Sequence, residues 1–421
     1  GIIAVTRASL MADDPSNPHA FLGHDRRAIV TEPGAVVDVD TREDMNLAWM
    51  TLEERYDGEH DPMYLDYLAE GEAANIEFVI CGRRVHKDEP VYVIAEIGVN
   101  HDGQLDRALA LVEAAKRADA DAVKLQLFKV ELLLSDDAEL AAYQEANADD
   151  PYAMLNALQL TVDEMLAVRD RAHELDLGFI VTPFSLENFD DMRRLDPDAV
   201  KIASPDCVNG PLIERMYELG KPMIISTGAA TMSEWSDAFV DRWTTDPTAI
   251  MHCVSAYPTP LDRASVGAVA GLSSVYSFPV GYSDHTTSVM TGALATMVGA
   301  AILEKHLTYD TTAAGPDHAA SLPPEDFARY VTHAREAQSA KSGDEFDQVQ
   351  DIEQDVRRVS RQSVCAVRDL KAGATIARED VTIKRPGTGI SAGRLEDVVG
   401  RKLLNDVKAN RLLRDEDVDW A

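Results

Sequence analysis

The chain has 421 residues, of which 45% are hydrophobic and 27% charged, so two or three domains with sizeable cores are expected. No apolar run approaches the roughly 18 residues that a membrane span requires, so no membrane partner is expected. The formal net charge of −33 would repel both nucleic acid and anionic lipid, which excludes them as partners.

The acidic surplus has two interpretations. Arginine supplies most of the positive charge, which suits a halophilic protein kept soluble in concentrated salt, where exposed charges are screened. An ordinary acidic cytoplasmic enzyme is the alternative. The four cysteines lie far apart without a CxxC pair, so we expect neither a disulfide framework nor a structural zinc site, and a reducing cytoplasm fits.

Residues 1–60 match no recurring pattern, and residues 61–74 resemble a polar linker. A domain is predicted over residues 75–338, beginning with a hairpin that closes its bottom. Short apolar runs rich in β-branched residues recur through it, and stretches of helical periodicity lie between them. The runs are 91–99, 122–127, 178–184, 199–204, 222–228, 249–254, 280–285 and 302–307.

Eight such units with almost continuously apolar strands predict an α/β fold, the parallel (β/α)₈ TIM barrel, because strands buried on both faces lose the alternation of polar and apolar residues. A doubly wound open sheet is the alternative. Residues 339–361 form a predicted polar linker, and residues 362–421 show the short strands and turns of a small, mostly β domain.

Polar residues, among them His252, Asp284 and Lys305, recur at the carboxyl ends of the predicted strands, and they are predicted to form one polar ring at the mouth where barrel enzymes place their reacting groups. Lys124 and Lys201 are costly to bury unless each meets an anion. Together with nearby hydroxyls they suit a small phosphorylated carboxylate. The hydroxyls are those of Thr182, Ser204, Ser226 and Ser283. The alternative pairs each lysine with a buried carboxylate such as Glu96 or Asp206.

Two histidines, His285 and His306, follow adjacent strands, so their imidazoles can reach one divalent cation. Two protein ligands would leave coordination positions for water and substrate, as a Lewis-acid site requires. A satisfied pair of core histidines is the alternative.

Nine motifs, in order, resemble those of the N-acetylneuraminate (sialic acid) synthase family. They are VIAEIGVNHDG (93–103), VKLQ (123–126), TPFS (182–185), KIAS (201–204), STG (226–228), YPTP (257–260), GYSDHT (281–286), EKH (304–306) and GPDH (315–318). The last 60 residues, with KRPGTG at 384–389, resemble the SAF (antifreeze-like) domain of that family. The resemblance implies condensation of phosphoenolpyruvate with N-acetylmannosamine, or a related N-acyl amino sugar, to a nine-carbon 2-keto acid and phosphate.

The resemblance also implies roles for individual residues. His285 and His306 match metal ligands, with Mn²⁺ the expected ion and Mg²⁺ or Co²⁺ the alternatives. The candidate catalytic residues are Glu96, Asp206, Tyr257 and Asp317. The candidate substrate-binding residues are Lys124, Gln126, Thr182, Lys201, Ser204, Ser226, Ser255, Ser283 and Lys408. Lys408 would come from the small domain of the partner in a domain-swapped homodimer.

Asp206 and Ser255 stand where sialic acid members commonly have glutamate and asparagine, which puts the identity of the sugar in doubt. A legionaminic or pseudaminic acid synthase that uses a 2,4-diacetamido hexose is therefore an alternative. A barrel that has lost activity and a metal-dependent hydrolase are further alternatives. Finally, residues 35–55 resemble the C-terminal end of the CMP-sialic acid synthetase (cytidylyltransferase) family, so residues 1–60 are predicted to be the remnant of such a domain.

Overall fold

The structure is a computed structural model that describes residues 77–135, 137–138, 150–236, 238, 246–341 and 348–421. The predictions for residues 1–60 and 61–74 lie outside these residues. The chain divides into two compact units, Gly1–Ser342 and Gly343–Ala421. Within the part of the chain that is described, no helix has both the length and the apolar character needed to cross a membrane.

The first unit is a closed barrel of eight parallel strands, which confirms the predicted fold. Each strand pairs with its neighbours in chain order, and the last strand pairs with the first. The barrel strands are β3 (Tyr92–Glu96), β4 (Ala122–Leu127), β5 (Gly178–Pro183), β6 (Ala199–Ile202), β7 (Met223–Ser226), β8 (Thr248–Cys253), β9 (Val280–Asp284) and β10 (Ile302–His306).

A short hairpin closes the amino-terminal end of the barrel. Its strands, β1 (Val79–Ile80) and β2 (Arg83–Arg84), pair antiparallel. Phe78, Ile80 and Val85 pack against the apolar side chains that fill the lower barrel interior, and all three are buried. Among the described residues, apolar side chains therefore fill this end of the barrel interior, and the opposite mouth is left for chemistry.

Helices follow the strands and cover the outside of the barrel. Their sequence signals are local: Thr161 caps one helix through a reciprocal capping box with Glu164, and such a cap contributes about 1 kcal/mol. The helices are α1 (Leu105–Arg117), α2 (Val130–Leu133), α3 (Pro151–Leu158), α4 (Val162–Glu174), α5 (Phe189–Leu195), α6 (Gly210–Tyr217), α7 (Met232–Ser236), α8 (Ala268–Val275), α9 (Thr291–Met297) and α10 (Pro324–Ala340).

The second unit contains helix α11 (Gln354–Ser360), the antiparallel strands β11 (Ser363–Ala366) and β12 (Val381–Lys384), and helix α12 (Leu395–Val398). Isolated bridges add further extended segments, for example between Leu370 and Val407. A small apolar core forms around Val364, Leu413 and their neighbours.

Candidate active site

The barrel strands alternate strictly between two environments, and this alternation selects the residues of the mouth. Ile94, Ile180 and Ile224 belong to the apolar cluster inside the barrel, whereas the residues next to them in sequence pack against the helices. Two positions further along each strand, the inward side chains become polar. They are Glu96, Lys124, Thr182, Lys201, Ser226, Ser283 and Glu304, all buried.

These inward side chains form one cluster of charges. The Lys124 ammonium forms an ion pair with Glu96, donates to Thr182 Oγ1 at 3.1 Å, and lies 3.9 Å from Glu304 Oε1. The same Glu304 oxygen accepts from Lys201 Nζ at 3.3 Å and from Ser283 Oγ at 3.1 Å. Both lysines therefore pair with buried carboxylates, as the alternative required, but Lys201 pairs with Glu304 and not with Asp206.

Burial and pairing compete in setting the pKa values of this cluster. Burial lowers the pKa of Lys201. Burial also disfavours the charge of Lys124, but Glu304 and Glu96 outweigh it and raise that pKa. Burial raises the pKa of Glu96 to about 7, whereas Lys124 and Lys201 overcome burial at Glu304 and lower its pKa. The cluster therefore contains groups whose charge can change when an anion enters.

The two predicted metal ligands lie side by side at the same mouth. The ring centroids of His285 and His306 are 5.4 Å apart, and the Tyr257 ring lies 4.0 Å from that of His285. His285 Nδ1 is 2.9 Å from the Val254 carbonyl oxygen, which leaves Nε2 as the ligating nitrogen. His306 Nδ1 is buried without a hydrogen-bond partner among the described residues, 3.5 Å from Asp317 Oδ2.

The donor set fits a cation bound by two imidazole nitrogens and completed by other oxygens. Burial, followed by the charge of His285, lowers the pKa of His306 well below its usual value, which favours the neutral form that binds a metal. Burial acts in the same direction at His285, but Cys253 outweighs it and raises that pKa, so His285 would release a proton when a cation binds. The described residues contain no group of three or more His, Cys, Asp or Glu side chains arranged to hold a metal ion. Substrate or water would therefore supply the remaining ligands.

Hydroxyls and a thiol surround Gly228, just beyond the end of β7. The Gly228 amide donates to Ser204 Oγ at 3.1 Å, and a Cβ there would lie 2.5 Å from Ser255 Oγ and 3.0 Å from Cys253 Sγ. Ser226 Oγ is buried and has no hydrogen-bond partner within the described ranges of the chain. Only glycine leaves room for these groups to meet. A bound ligand would supply the hydrogen bond that the buried Ser226 hydroxyl does not find among the described residues.

The other predicted site residues have separate surroundings. Gln126 Nε2 donates to the Gly98 carbonyl at 3.2 Å, next to Glu96. Asp206 is half-buried and accepts from Asn209 Nδ2 at 3.0 Å. Lys408 lies in the second unit, is largely exposed, and pairs with Asp369 at 2.8 Å. Its predicted contact with a partner subunit stays a prediction.

Three polar residues that the sequence pattern assigned to the mouth point the other way. His252 stacks on Tyr282 at 6.1 Å, on the helix-facing side of the strands. Asp284 and Lys305 form an ion pair at 3.3 Å, and both are fully buried. Placing them in one polar ring was therefore wrong, because neighbouring residues in a strand face opposite sides.

Glu304 is a functional candidate that was not among the predicted site residues. It lies two positions before His306 on the same strand and therefore shares its inward face. It contacts both lysines and Ser283, so it joins Lys201 and Ser283 to the part of the cluster around Lys124. The sequence signal for Glu304 was its spacing from His306 in the EKH motif, because residues two positions apart in a strand lie on the same face.

Comparison with known proteins identifies the family to which a barrel with these paired lysines, carboxylates and imidazoles belongs. The NeuB family model matches residues 111–345, more than half of the chain, and the SAF domain model matches residues 361–419. The chain therefore belongs to the NeuB family. Neither match covers residues 1–60, so their resemblance to a cytidylyltransferase has no support from these models.

The alignments with individual relatives cover nearly the whole length of those relatives. The N,N'-diacetyllegionaminic acid synthase of Legionella pneumophila is 35% identical, over 78% of this chain and 94% of that protein. The N-acetylneuraminate-9-phosphate synthase of Mus musculus is 27% identical, over 82% and 97% respectively. The crystal structure of N-acetylneuraminic acid synthetase from Leptospira borgpetersenii has a TM-score of 0.61 at 31% identity, over 67% of this chain and 95% of that chain. The chain is a synthase of the NeuB type.

Proposed function

We propose that the protein condenses phosphoenolpyruvate with a 2,4-diacetamido hexose and releases a nine-carbon 2-keto acid and phosphate. The observation that carries the reaction is the convergence of Lys124 and Lys201 on one mouth beside His285 and His306. The choice of sugar rests on the greater identity to the legionaminic acid synthase than to the mouse synthase, 35% against 27%.

The ammonium groups of Lys124 and Lys201 would bind the phosphate and carboxylate of phosphoenolpyruvate. A hydrogen bond from an ammonium group to phosphate or carboxylate is charge-assisted, as are the bonds that the lysines already make to Glu96 and Glu304, so a substrate anion would be a partner of comparable strength. The hydroxyls that would add donors are those of Thr182, Ser204, Ser226 and Ser283. The buried Ser226 hydroxyl, which has no hydrogen-bond partner among the described residues, supports this assignment.

The reaction then proceeds in balanced steps. C3 of phosphoenolpyruvate attacks the aldehyde carbon, the aldehyde oxygen becomes a hydroxyl, and positive charge develops at C2. Glu304 and Glu96, which both lie beside Lys124, are proposed to stabilise that charge. Water adds to C2 and loses a proton, for which Glu96 is the proposed acceptor, and this proton balances the one that the aldehyde oxygen takes up. The tetrahedral intermediate expels phosphate by cleavage of the C–O bond, and the C2 hydroxyl gives its proton to the departing phosphate as the keto group forms.

His285 and His306 would hold a divalent cation, proposed to be Mn²⁺, which polarises the aldehyde oxygen when bound. Their buried nitrogens, of which His306 Nδ1 lacks a hydrogen bond within the described part of the chain, support that assignment. Tyr257, Gln126, Asp206, Ser255 and Asp317 are proposed to contact the sugar. Lys408 is proposed to reach the sugar pocket of a partner in a homodimer.

Mass spectrometry of the products tests the proposal. Phosphoenolpyruvate would be mixed with N-acetylmannosamine, its 6-phosphate or 2,4-diacetamido hexoses, with and without Mn²⁺. We expect the highest kcat/KM with a diacetamido sugar, and phosphate without label when the reaction runs in H₂¹⁸O, because the C–O bond breaks. Equal or better use of N-acetylmannosamine would contradict the choice of sugar. Product formation without phosphoenolpyruvate would favour a hydrolase, and no turnover of any mixture would favour an inactive barrel.

A further inference from the structure

A hydrogen-bonded network joins two loops at the mouth of the barrel, the loop after β3 and the loop after β10. At its centre is the Asp102 carboxylate, on a residue with left-handed backbone (φ 49°). One oxygen accepts from His318 Nε2 at 2.9 Å, and the other accepts from the Tyr309 hydroxyl at 2.8 Å and from Arg107. Three side chains from different parts of the chain therefore depend on one carboxylate for their place.

His318 is fixed at both of its ring nitrogens. Because a carboxylate can only accept, His318 Nε2 carries the proton of its hydrogen bond to Asp102. His318 Nδ1 lies 2.7 Å from Thr308 Oγ1, at the start of the same loop. The side chain is 1% exposed, and a Cβ on Gly315 would come within 2.7 Å of its ring. The loop between Thr308 and His318 thus closes around this imidazole.

Asp317 precedes His318 in sequence and lies between this network and a second set of hydrogen bonds, which involves Asn100 and Ser321. Asn100 Nδ2 donates to the Leu307 carbonyl at 3.0 Å and to Ser321 Oγ at 2.8 Å. Ser321 Oγ in turn donates to the Asp317 carbonyl oxygen at 2.6 Å. The backbone of Asp317 is therefore held on both sides, while its carboxylate points to His306.

We propose that His318 is a positioning residue that fixes the loop after β10 against the loop after β3, so that Asp317 faces the amino sugar. The inference rests on the proposed function for its choice of substrate. Among the described residues, no hydrogen bond of this network reaches Lys124 or Lys201, although the charge of Asp317 acts on Lys124. Binding of phosphoenolpyruvate should therefore depend on the network much less than binding of the sugar does.

The test compares His318→Leu and His318→Gln with a control, Arg335→Met. Like His318, Arg335 makes several hydrogen bonds, but its partners Asp119 and Asp121 lie at the closed end of the barrel. In His318→Leu, we expect the KM for the diacetamido sugar to rise at least about tenfold, since small misplacements are costly, with the KM for phosphoenolpyruvate within about twofold. Glutamine retains an N–H near the Nε2 position, so His318→Gln should stay within about threefold for both. Arg335→Met should leave both KM values unchanged.

Hydrogen exchange, measured by mass spectrometry, gives a readout that does not need activity. In His318→Leu, amides of residues 308–318 should exchange at least about tenfold faster, while those of β4 and β6 do not change. Unchanged exchange in that loop, or equal rises in both KM values, would overturn the proposal. A wild-type protein that makes no product refutes the proposed function instead, and the exchange result still decides the role of His318. If His318→Leu does not fold, Tyr309→Phe should accelerate exchange in the same loop to a smaller extent, and no acceleration would overturn the proposal.

Discussion

Lys201 depends on Glu304 for its charge partner, whereas Lys124 contacts both Glu304 and Glu96. A Lys201→Met protein keeps Glu304 paired with Lys124, so the fold should survive the loss. We expect the KM for phosphoenolpyruvate to rise at least about tenfold, because a hydrogen bond to a charged group contributes about 1.5–3 kcal/mol. Phosphate release at varied substrate concentrations measures it.

Lys221→Met is the matched control for this change. Lys221 forms its ion pair with Asp196 at 2.7 Å on the outside of the barrel. An unchanged KM in that variant would confirm that the effect belongs to the mouth. If Lys201→Met alters only the KM for the sugar, the assignment of Lys201 to the phosphorylated substrate is wrong.

The two imidazoles at the mouth should account for metal binding. In a His285→Ala His306→Ala protein we expect no detectable Mn²⁺ binding by isothermal titration calorimetry and no product, because each change removes one of the two proposed nitrogen ligands. Wild-type protein stripped of metal should also be inactive. His252→Ala, which removes an imidazole on the opposite face of the strands, should bind Mn²⁺ as wild type does. Full turnover by the double variant would remove the metal from the mechanism.

His101 should make the stability of the protein depend on pH. Burial lowers its pKa from about 6.5 to about 4, although Asp102 opposes the shift, and His101 Nδ1 accepts from the Gly103 amide at 3.1 Å. The folded state therefore binds a proton less tightly than the unfolded state. The free energy of unfolding is therefore not reduced by His101 above about pH 6.5. As the pH falls towards 4, the unfolded state gains the proton first, and the free energy of unfolding falls by about 2–3 kcal/mol.

A His101→Asn variant separates this contribution from those of other groups, because asparagine keeps an acceptor near the Nδ1 position but does not titrate. Urea unfolding at about pH 7 and about pH 4.5 would be compared in both proteins. We expect the wild type to lose more free energy of unfolding between these values than the variant does. Equal losses would show that His101 does not titrate as its burial implies.

At the scale of elements, Gly281 sets how closely β9 and β10 approach. A Cβ there would lie 2.7 Å from the Ile302 carbonyl oxygen and 3.0 Å from the Ile302 Cβ, and backbone cannot move aside without opening the barrel. Gly281→Ala should reduce the free energy of unfolding by about 1–3 kcal/mol. Gly267→Ala is the control, since a Cβ on that residue would have no other atom within 4 Å and its φ is −59°.

Thermal unfolding of both glycine variants would measure the difference. The control should unfold within a degree or two of wild type, or slightly above it, because alanine restricts the unfolded chain. A Gly281→Ala protein as stable as the control would show that the two strands can separate at no cost.

The strands of the barrel were predictable because their signal is local. The apolar runs predicted at 122–127 and 178–184 correspond closely to β4 and β5, and the predicted hairpin forms. The direction in which charged strand residues point was not predictable in the same way. Lys305 lies between Glu304 and His306, so alternation puts it on the opposite face from them, but which of the two faces points inward becomes clear only in the closed barrel, where Lys305 pairs with Asp284 on β9.

The partner of a buried charge depends on that same register. The alternative named Asp206 as an example of a carboxylate partner for a buried lysine, but Asp206 lies beyond the strand in a short 3₁₀ turn, Ser204–Asp206, and its carboxylate accepts from Asn209. Glu304, 103 positions away in sequence, reaches Lys201 across the barrel interior. Contacts of this kind arise from closure of the barrel and leave no local pattern.

For the whole molecule, the net charge of −33 should make stability rise with salt. Repulsion among like charges opposes the compact state, and added ions weaken it. The screening length falls from about 10 Å at 0.1 M salt to about 3 Å at 1 M, so most of the gain should appear below about 1 M NaCl. The midpoint of thermal unfolding, followed over roughly 0.05–3 M NaCl, should climb steeply at first and then level off. A sucrose series is the control, because sucrose favours burial without screening charge and should give a gradual rise without a plateau. A midpoint that falls with NaCl would show that ion pairs, rather than repulsion, dominate the surface.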